Sequence, residues 1–173
     1  MDHPNENEII TVHPEPRVHE TRKRKRTEVL SLPHLEAADP IQIKVLAEGN
    51  YRDQIMQLYQ DAGWTEEYHI TSEYLDVVIA GSYCFVGAFQ EERMIGMARA
   101  LSDGSDALVH EVIVLKEFRR MGIGNRLMQA LIEYLKECGV DWIALIADRQ
   151  AISFYKELGF SVMDDVVPMS WEL

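Results

Sequence analysis

Cysteine is scarce in this chain, which has two in 173 residues, Cys84 and Cys138. They lie in a strand-like run and near a helix end. Neither a disulfide framework nor a metal-ligand spacing is expected, and no metal is implied, so the reading is a reducing intracellular compartment, the cytoplasm. Long apolar runs are missing as well. Nothing approaches the roughly 20 residues that cross a bilayer, and no membrane partner is expected. The first residues are polar and acidic, without the apolar stretch of a secretory leader. Positive charge is in deficit, with 17 Lys and Arg against 29 Asp and Glu and a net charge of −12. A body of that sign is a poor ligand for nucleic acid.

What charge and proline there is falls unevenly. Residues 1–38 hold 7 acids, 6 bases and four of the 6 prolines (Pro4, Pro14, Pro16 and Pro33). With little apolar periodicity, this stretch reads as a flexible polar tail. Its basic run Arg22-Lys23-Arg24-Lys25-Arg26 is either a solvated surface or a patch for targeting or nucleic acid. Residues 39–173 read as one domain, and they carry 22 acids against 11 bases. An acidic body with one local basic spot suits an anionic cofactor and a cationic acceptor; a surface tuned for solubility has the same composition.

Periodicity lays out the domain. Ile41-Gln42-Ile43-Lys44-Val45-Leu46 alternates as a half-buried strand does. Over 51–62, Ile55, Leu58, Tyr59 and Ala62 recur at helical spacing and Gly63 stops the helix. Over 71–80, Thr71 or Ser72 caps a second stripe of Tyr74, Leu75, Val78 and Ile79, which Gly81 ends. Strands are expected at 83–89, 94–101 and 107–115, with a charged turn at Glu91-Glu92-Arg93 and a polar one at 103–106. A helix over 122–138 buries Ile123, Leu127, Leu131 and Leu135, with Gly139 as its cap. Strand 142–147, helix 149–158 and strands 160–163 and 166–172 complete the pattern.

The turn before the 122–138 helix is the most informative segment. The β-branched run of 107–115 ends in Lys116, and Arg119-x-x-Gly122-x-Gly124 opens the helix at once. A helix start leaves backbone N–H groups without intrahelical partners, and its dipole favours negative charge. Gly122 and Gly124 put no Cβ in the way of a close ligand. Arg119, Arg120 and Arg126 add positive charge. This turn is expected to hold a phosphate, and a pyrophosphate in particular.

Two familiar phosphate motifs do not fit. Asn125 and Arg126 stand where a P-loop needs Lys and Ser or Thr, and Leu127 stands at the third glycine of a dinucleotide fingerprint. The turn after a Val-rich strand instead resembles the acyl-CoA pyrophosphate loop of the GCN5-related N-acetyltransferase (GNAT) superfamily. A second block supports the resemblance. The apolar run 142–147 leads into Ala151-x-x-x-Tyr155-x-x-x-Gly159-Phe160, which is similar to that family's second pattern. The likeness covers roughly residues 41–172. It departs at Asp148-Arg149-Gln150, where many relatives carry an Asn that touches CoA.

The resemblance implies an α/β fold with a mixed, mostly antiparallel twisted sheet of six to seven strands and about four helices. It implies an acetyl-CoA-dependent enzyme that passes the acetyl group directly to the primary amine of a small molecule. A protein or peptide acceptor, or a non-catalytic acyl-CoA-binding module, are the other outcomes. CoA would be held by the edge of Val112, Ile113 and Val114, by the turn residues Arg119, Arg120, Met121, Gly122, Ile123, Gly124, Asn125 and Arg126, and by Asp148 and Phe154. The Val112 N–H is the implied oxyanion donor and Tyr155 the implied acid for the leaving thiolate, a packed aromatic being the alternative. The base is His110, Glu111 or water; strand alternation points only one of the two side chains at the acceptor, unless a bulge turns Glu111. Acceptor contacts are expected from Trp64, Glu67, Tyr68, Tyr74 and Arg99, with Trp64 a cation-binding wall or a core plug. Family members often form dimers, and 166–172 is an exchange edge for a homodimer.

Overall fold

The computed structural model describes residues 40–46 and 51–171. The polar stretch 1–38 and its basic run lie outside the described residues. The elements run β1 (Ile41–Val45), α1 (Arg52–Ala62), α2 (Trp64–Glu67), α3 (Ser72–Gly81), β2 (Cys84–Gln90), β3 (Arg93–Ser102), β4 (Asp106–Val114), α4 (Ile123–Glu137), β5 (Trp142–Leu145) and α5 (Ile152–Glu157), with short 3-10 turns at Lys116–Phe118 and Arg149–Ala151. The five strands form one sheet in sequence order. β1 to β4 pair antiparallel, and β4 pairs with β5 in parallel. A parallel neighbour needs a crossover, which α4 supplies.

The two faces of the sheet are covered by different helices. Gly96 sits so close under α4 that an added Cβ would stand 3.1 Å from Leu127. Odd-numbered Arg99 on the same strand faces the other way, toward Tyr59 on α1 through their shared partner Glu111. On α4 the expected stripe of Ile123, Leu127, Leu131 and Leu135 is fully buried. Each such side chain contributes about 1.5–3 kcal/mol of transfer free energy. α1 buries Ile55, Leu58 and Tyr59, which recur one turn apart.

Several local stops follow the chain chemistry. α1 ends on Gly63 at φ +85°, a left-handed conformation that glycine adopts without cost. Thr71 caps α3 by accepting from the Tyr74 N–H at 3.3 Å. α3 continues through Gly81 and is closed by Ser82, whose Oγ donates to the Val78 carbonyl at 2.7 Å. The expected stop at Gly81 therefore shifts by one residue to a hydroxyl that satisfies a last-turn carbonyl.

Among the described residues the sheet has five strands, against the six to seven expected. Among the described residues, 160–171 contain no strand. Val167, Met169 and Trp171 are 79%, 93% and 88% exposed. A strand needs a partner and a half-buried surface, and Asp164, Asp165 and Pro168 interrupt the apolar run that suggested one.

Candidate active site

The parallel ladder between β4 and β5 stops early. It pairs Asp106 with Trp142 and ends at Val109 and Leu145. β4 stays paired to β3 as far as Val114. Beyond Val109 the β5 side of β4 therefore has no strand beside it among the described residues.

At the far end of β4 the chain turns into α4. Arg119 is extended, Arg120 has φ +65° and Gly122 has φ +77°. Gly122 is the N-cap, no side chain caps the helix, and the first helical bond runs from the Arg126 N–H to the Gly122 carbonyl. The N–H groups of Ile123, Gly124 and Asn125 are thus left for an external acceptor. Left-handed residues at Arg120 and Gly122, just before a bare helix start, favour an anion-binding concavity. Gly122 is needed for its backbone angle, since an added Cβ would meet nothing within 4 Å. Gly122→Ala is expected to cost ~1–2 kcal/mol, with Gly122→Asn costing less, as read by urea denaturation.

The arginines divide their work. The Arg119 Nε donates to the Val114 carbonyl at 3.0 Å, and its Nη2 lies 3.9 Å from Asp61. Asp61 also accepts from the Lys116 N–H at 2.9 Å, so the end of α1 braces the turn. Arg120 is exposed beside the bare helix start. Arg126 differs from expectation: its Nη2 donates to the Ile41 carbonyl at 2.7 Å and ties α4 to β1. One turn into the helix, its side chain has a backbone acceptor within reach and serves the fold there.

The second sequence block meets the first in space. Phe154 on α5 lies against the start of α4, where a Cβ on Gly124 would stand 3.3 Å from its ring. A Cβ at Gly124 would therefore push on this ring, which would have to give by a few tenths of an ångström. Tyr155 stands edge-on to Phe154 and Phe160, with ring centroids at 4.9 and 6.0 Å. Its hydroxyl makes no hydrogen bond among the described residues, and burial raises its pKa. α5 closes on Gly159 at φ +94°, and the Phe160 N–H reaches back to the Tyr155 carbonyl at 3.0 Å. That double-backed stop is why the block ends in Gly-Phe. Asp148 caps the turn before α5, its Oδ1 accepting from the Gln150 N–H at 3.0 Å. The carboxylate is occupied by the fold, which accounts for a polar residue at this position.

On β4, His110 stands opposite Arg99 in the ladder, and the register slips between there and the Ile113–Met97 pair. Glu111 and Val112 together oppose Ala98, which is a bulge, and Glu111 has φ +49°. A non-glycine residue in that region carries about 1–2 kcal/mol of strain. The bulge undoes the alternation of faces, so both His110 and Glu111 join Arg99. The Glu111 carboxylate accepts from Arg99 Nε, from Arg99 Nη2 at 2.8 Å and from the Tyr59 hydroxyl at 2.5 Å. Arg99 Nη1 also reaches Ser82 Oγ at 3.5 Å. Burial, then the Arg99 charge, lower the pKa of His110 below the usual imidazole value, while Glu111 opposes them. The Tyr59 phenol is pushed up by burial and by its bond to Glu111.

Aromatic side chains wall this side. Trp64 meets Tyr59 edge-on at 5.7 Å and Tyr68 at 6.4 Å. It is half-buried, so it both seals the core and presents one side outward. Tyr74 is exposed but interacts electrostatically with Tyr59 and Arg99. Arg99 was expected to touch the acceptor, yet its guanidinium is taken by Glu111. Tyr59, Asp61 and Ser82 were not expected in the site. The one signal for Tyr59 was a phenol on a buried stripe, which needs a hydrogen-bond partner.

Comparison with known proteins agrees with this geometry. The acetyltransferase (GNAT) family model matches residues 51–160. The protein of Gracilaria tenuistipitata var. liui named "Uncharacterized N-acetyltransferase ycf52" is 30% identical over 151 residues, spanning 83% of this chain and 81% of the relative. The Arabidopsis thaliana protein named "GCN5-related N-acetyltransferase 2, chloroplastic" is 40% identical over 72 residues, 41% of this chain and 28% of that protein. Among solved structures, a GNAT-family acetyltransferase of Streptococcus pneumoniae superposes with TM-score 0.66 at 28% identity, covering 77% of this chain and 98% of that one.

Proposed function

The chain belongs to the acetyltransferase (GNAT) family, and from that premise we propose that it moves the acetyl group of acetyl-CoA directly to a primary amine of a small molecule. The observation that carries this reading is the continuity of two features. The unpaired edge of β4 leads straight to the bare N-terminus of α4. A ligand with amides at one end and a pyrophosphate at the other needs that combination. The N–H groups of 123–125, with Arg119 and Arg120, receive the pyrophosphate. The edge of Val112, Ile113 and Val114 pairs with the amides as a neighbouring strand would.

At the other end the residues manage protons and charge. His110, neutral because burial and Arg99 disfavour its cation, takes the proton from the acceptor ammonium directly or through water. The freed nitrogen lone pair forms the N–C bond as the C–S bond breaks. The Val112 N–H faces the carbonyl oxygen as negative charge develops on it. Tyr155, protonated because burial raises its pKa, gives its proton to the departing thiolate.

The acceptor reading rests on the aromatic wall of Tyr59, Trp64, Tyr68 and Tyr74, set in a body rich in carboxylates. Such a surface favours a cationic amine. We read the compartment as a reducing one, the cytoplasm or the plastid that the Arabidopsis relative's name gives for that protein. No helix among the described residues is long and apolar enough to cross a membrane.

The test is thiol release from acetyl-CoA across a panel of diamines, arylalkylamines, aminoglycosides, amino acids and lysine peptides. Release that depends on a small cationic amine is expected. Release with peptides alone would reassign the acceptor, and CoA binding with no release by any amine would overturn the enzyme reading.

A further inference from the structure

We propose that Tyr59, Arg99 and Glu111 form a positioning network that fixes the bulge of β4, and that Glu111 acts through this network and is not the group that accepts the substrate's proton. The proposal rests on the acetyl-transfer reading above for its kinetic consequences, but not for its structural ones.

The bulge has no local cause in the sequence. No glycine or asparagine stands at Glu111, yet its φ is +49°, a conformation that persists where surrounding contacts over-determine it. Those contacts are present. Both carboxylate oxygens are taken by three donors from two other elements, Arg99 of β3 and Tyr59 of α1. Arg99 is the buried charged residue among the described residues. It reaches on to Ser82, which closes α3 through its bond to the Val78 carbonyl. One carboxylate therefore joins α1, α3, β3 and β4 at the single point where β4 departs from regular pairing.

That point matters because of what flanks it. His110 precedes the bulged residue and Val112 follows it. The direction of the Val112 N–H depends on the backbone angle that the network holds. A carboxylate whose oxygens are filled by a guanidinium and a phenol must abandon them to take a proton. The His110 imidazole has no hydrogen bond among the described residues and needs to abandon nothing. The charged groups facing it are Arg99 from β3 and Glu111 from its own strand, while α1 and α3 bring the phenols of Tyr59 and Tyr74 to the same network. Replacing Glu111 leaves the Arg99 cation beside His110 without its counter-charge.

The experiment pairs the pH profile of kcat/KM with backbone amide exchange in wild type, Glu111→Gln and Tyr59→Phe. In Glu111→Gln, kcat falls about tenfold with the KM for acetyl-CoA unchanged. The acid limb of the profile persists and moves to lower pH. Amide exchange of 111–114 quickens in both variants, more in Glu111→Gln, and Tyr59→Phe supplies the answer should Glu111→Gln fold poorly. Disappearance of the acid limb in Glu111→Gln, or exchange at 111–114 unchanged in both variants, would overturn the proposal. Faster exchange in the variants, alongside a wild type that transfers no acetyl group, would leave the network standing and sink the enzyme reading, so the two fail separately.

Discussion

Tyr155→Phe lowers kcat about 10²- to 10³-fold and leaves CoA affinity unchanged. The substitution keeps the ring that packs edge-on against Phe154 and Phe160 at 4.9 and 6.0 Å, so α5 is undisturbed. It removes one hydroxyl, which has no partner within the described residues. Burial raises the pKa of that phenol and keeps it protonated at neutral pH, so it holds a proton to give to the departing thiolate. CoA affinity is spared because its proposed contacts are backbone groups of β4 and α4 together with Arg119 and Arg120, none of which the substitution touches. Steady-state kinetics and calorimetric CoA binding on the same preparation decide the matter. An unchanged kcat would make Tyr155 a packing aromatic and leave the thiolate to water.

Glu111→Ala lowers unfolding stability by about 3–5 kcal/mol, on the order of 10 °C in Tm for a domain of this size. The reason is what stays behind. Arg99, 6% exposed, keeps its charge and loses its counter-ion, and the Tyr59 hydroxyl loses its acceptor. A buried pair adds little over a well-packed apolar pair, but one orphaned partner is costly. The double variant Arg99→Met with Glu111→Ala is therefore more stable than Glu111→Ala alone, because it removes the orphan. Thermal unfolding of the three proteins measures this, and a loss under about 0.5 kcal/mol for Glu111→Ala, the scale of an ordinary surface substitution, would mean that water already screens Arg99.

Local signals carried most of the fold. α1 and α4 follow apolar residues at helical spacing, and Gly63, Gly139 and Gly159 all adopt the positive φ of a helix stop. The turn from β4 into α4 was equally legible, because strand, glycines and helix start are contiguous in the chain. Long-range features were not. Counting faces along β4 sets His110 and Glu111 on opposite sides; the bulge that reunites them belongs to the pairing with β3. Tyr59 read as one more core residue, since nothing near it in sequence names Glu111 as its partner. Arg126 counted as positive charge at the turn, but its acceptor is 85 residues away on β1. Strands 160–163 and 166–172 were expected to finish the sheet, and the described residues 160–171 form none.

The central claim is that the unpaired edge of β4 and the start of α4 hold acetyl-CoA for direct transfer to an amine. It is tested most directly by quantifying, in one reaction, free CoA thiol and N-acetylated product for the best small cationic amine. The account predicts that the two rise together in equal amounts and that neither forms without the amine. Tight CoA binding with no product, or thiol release without N-acetylated amine, would contradict it.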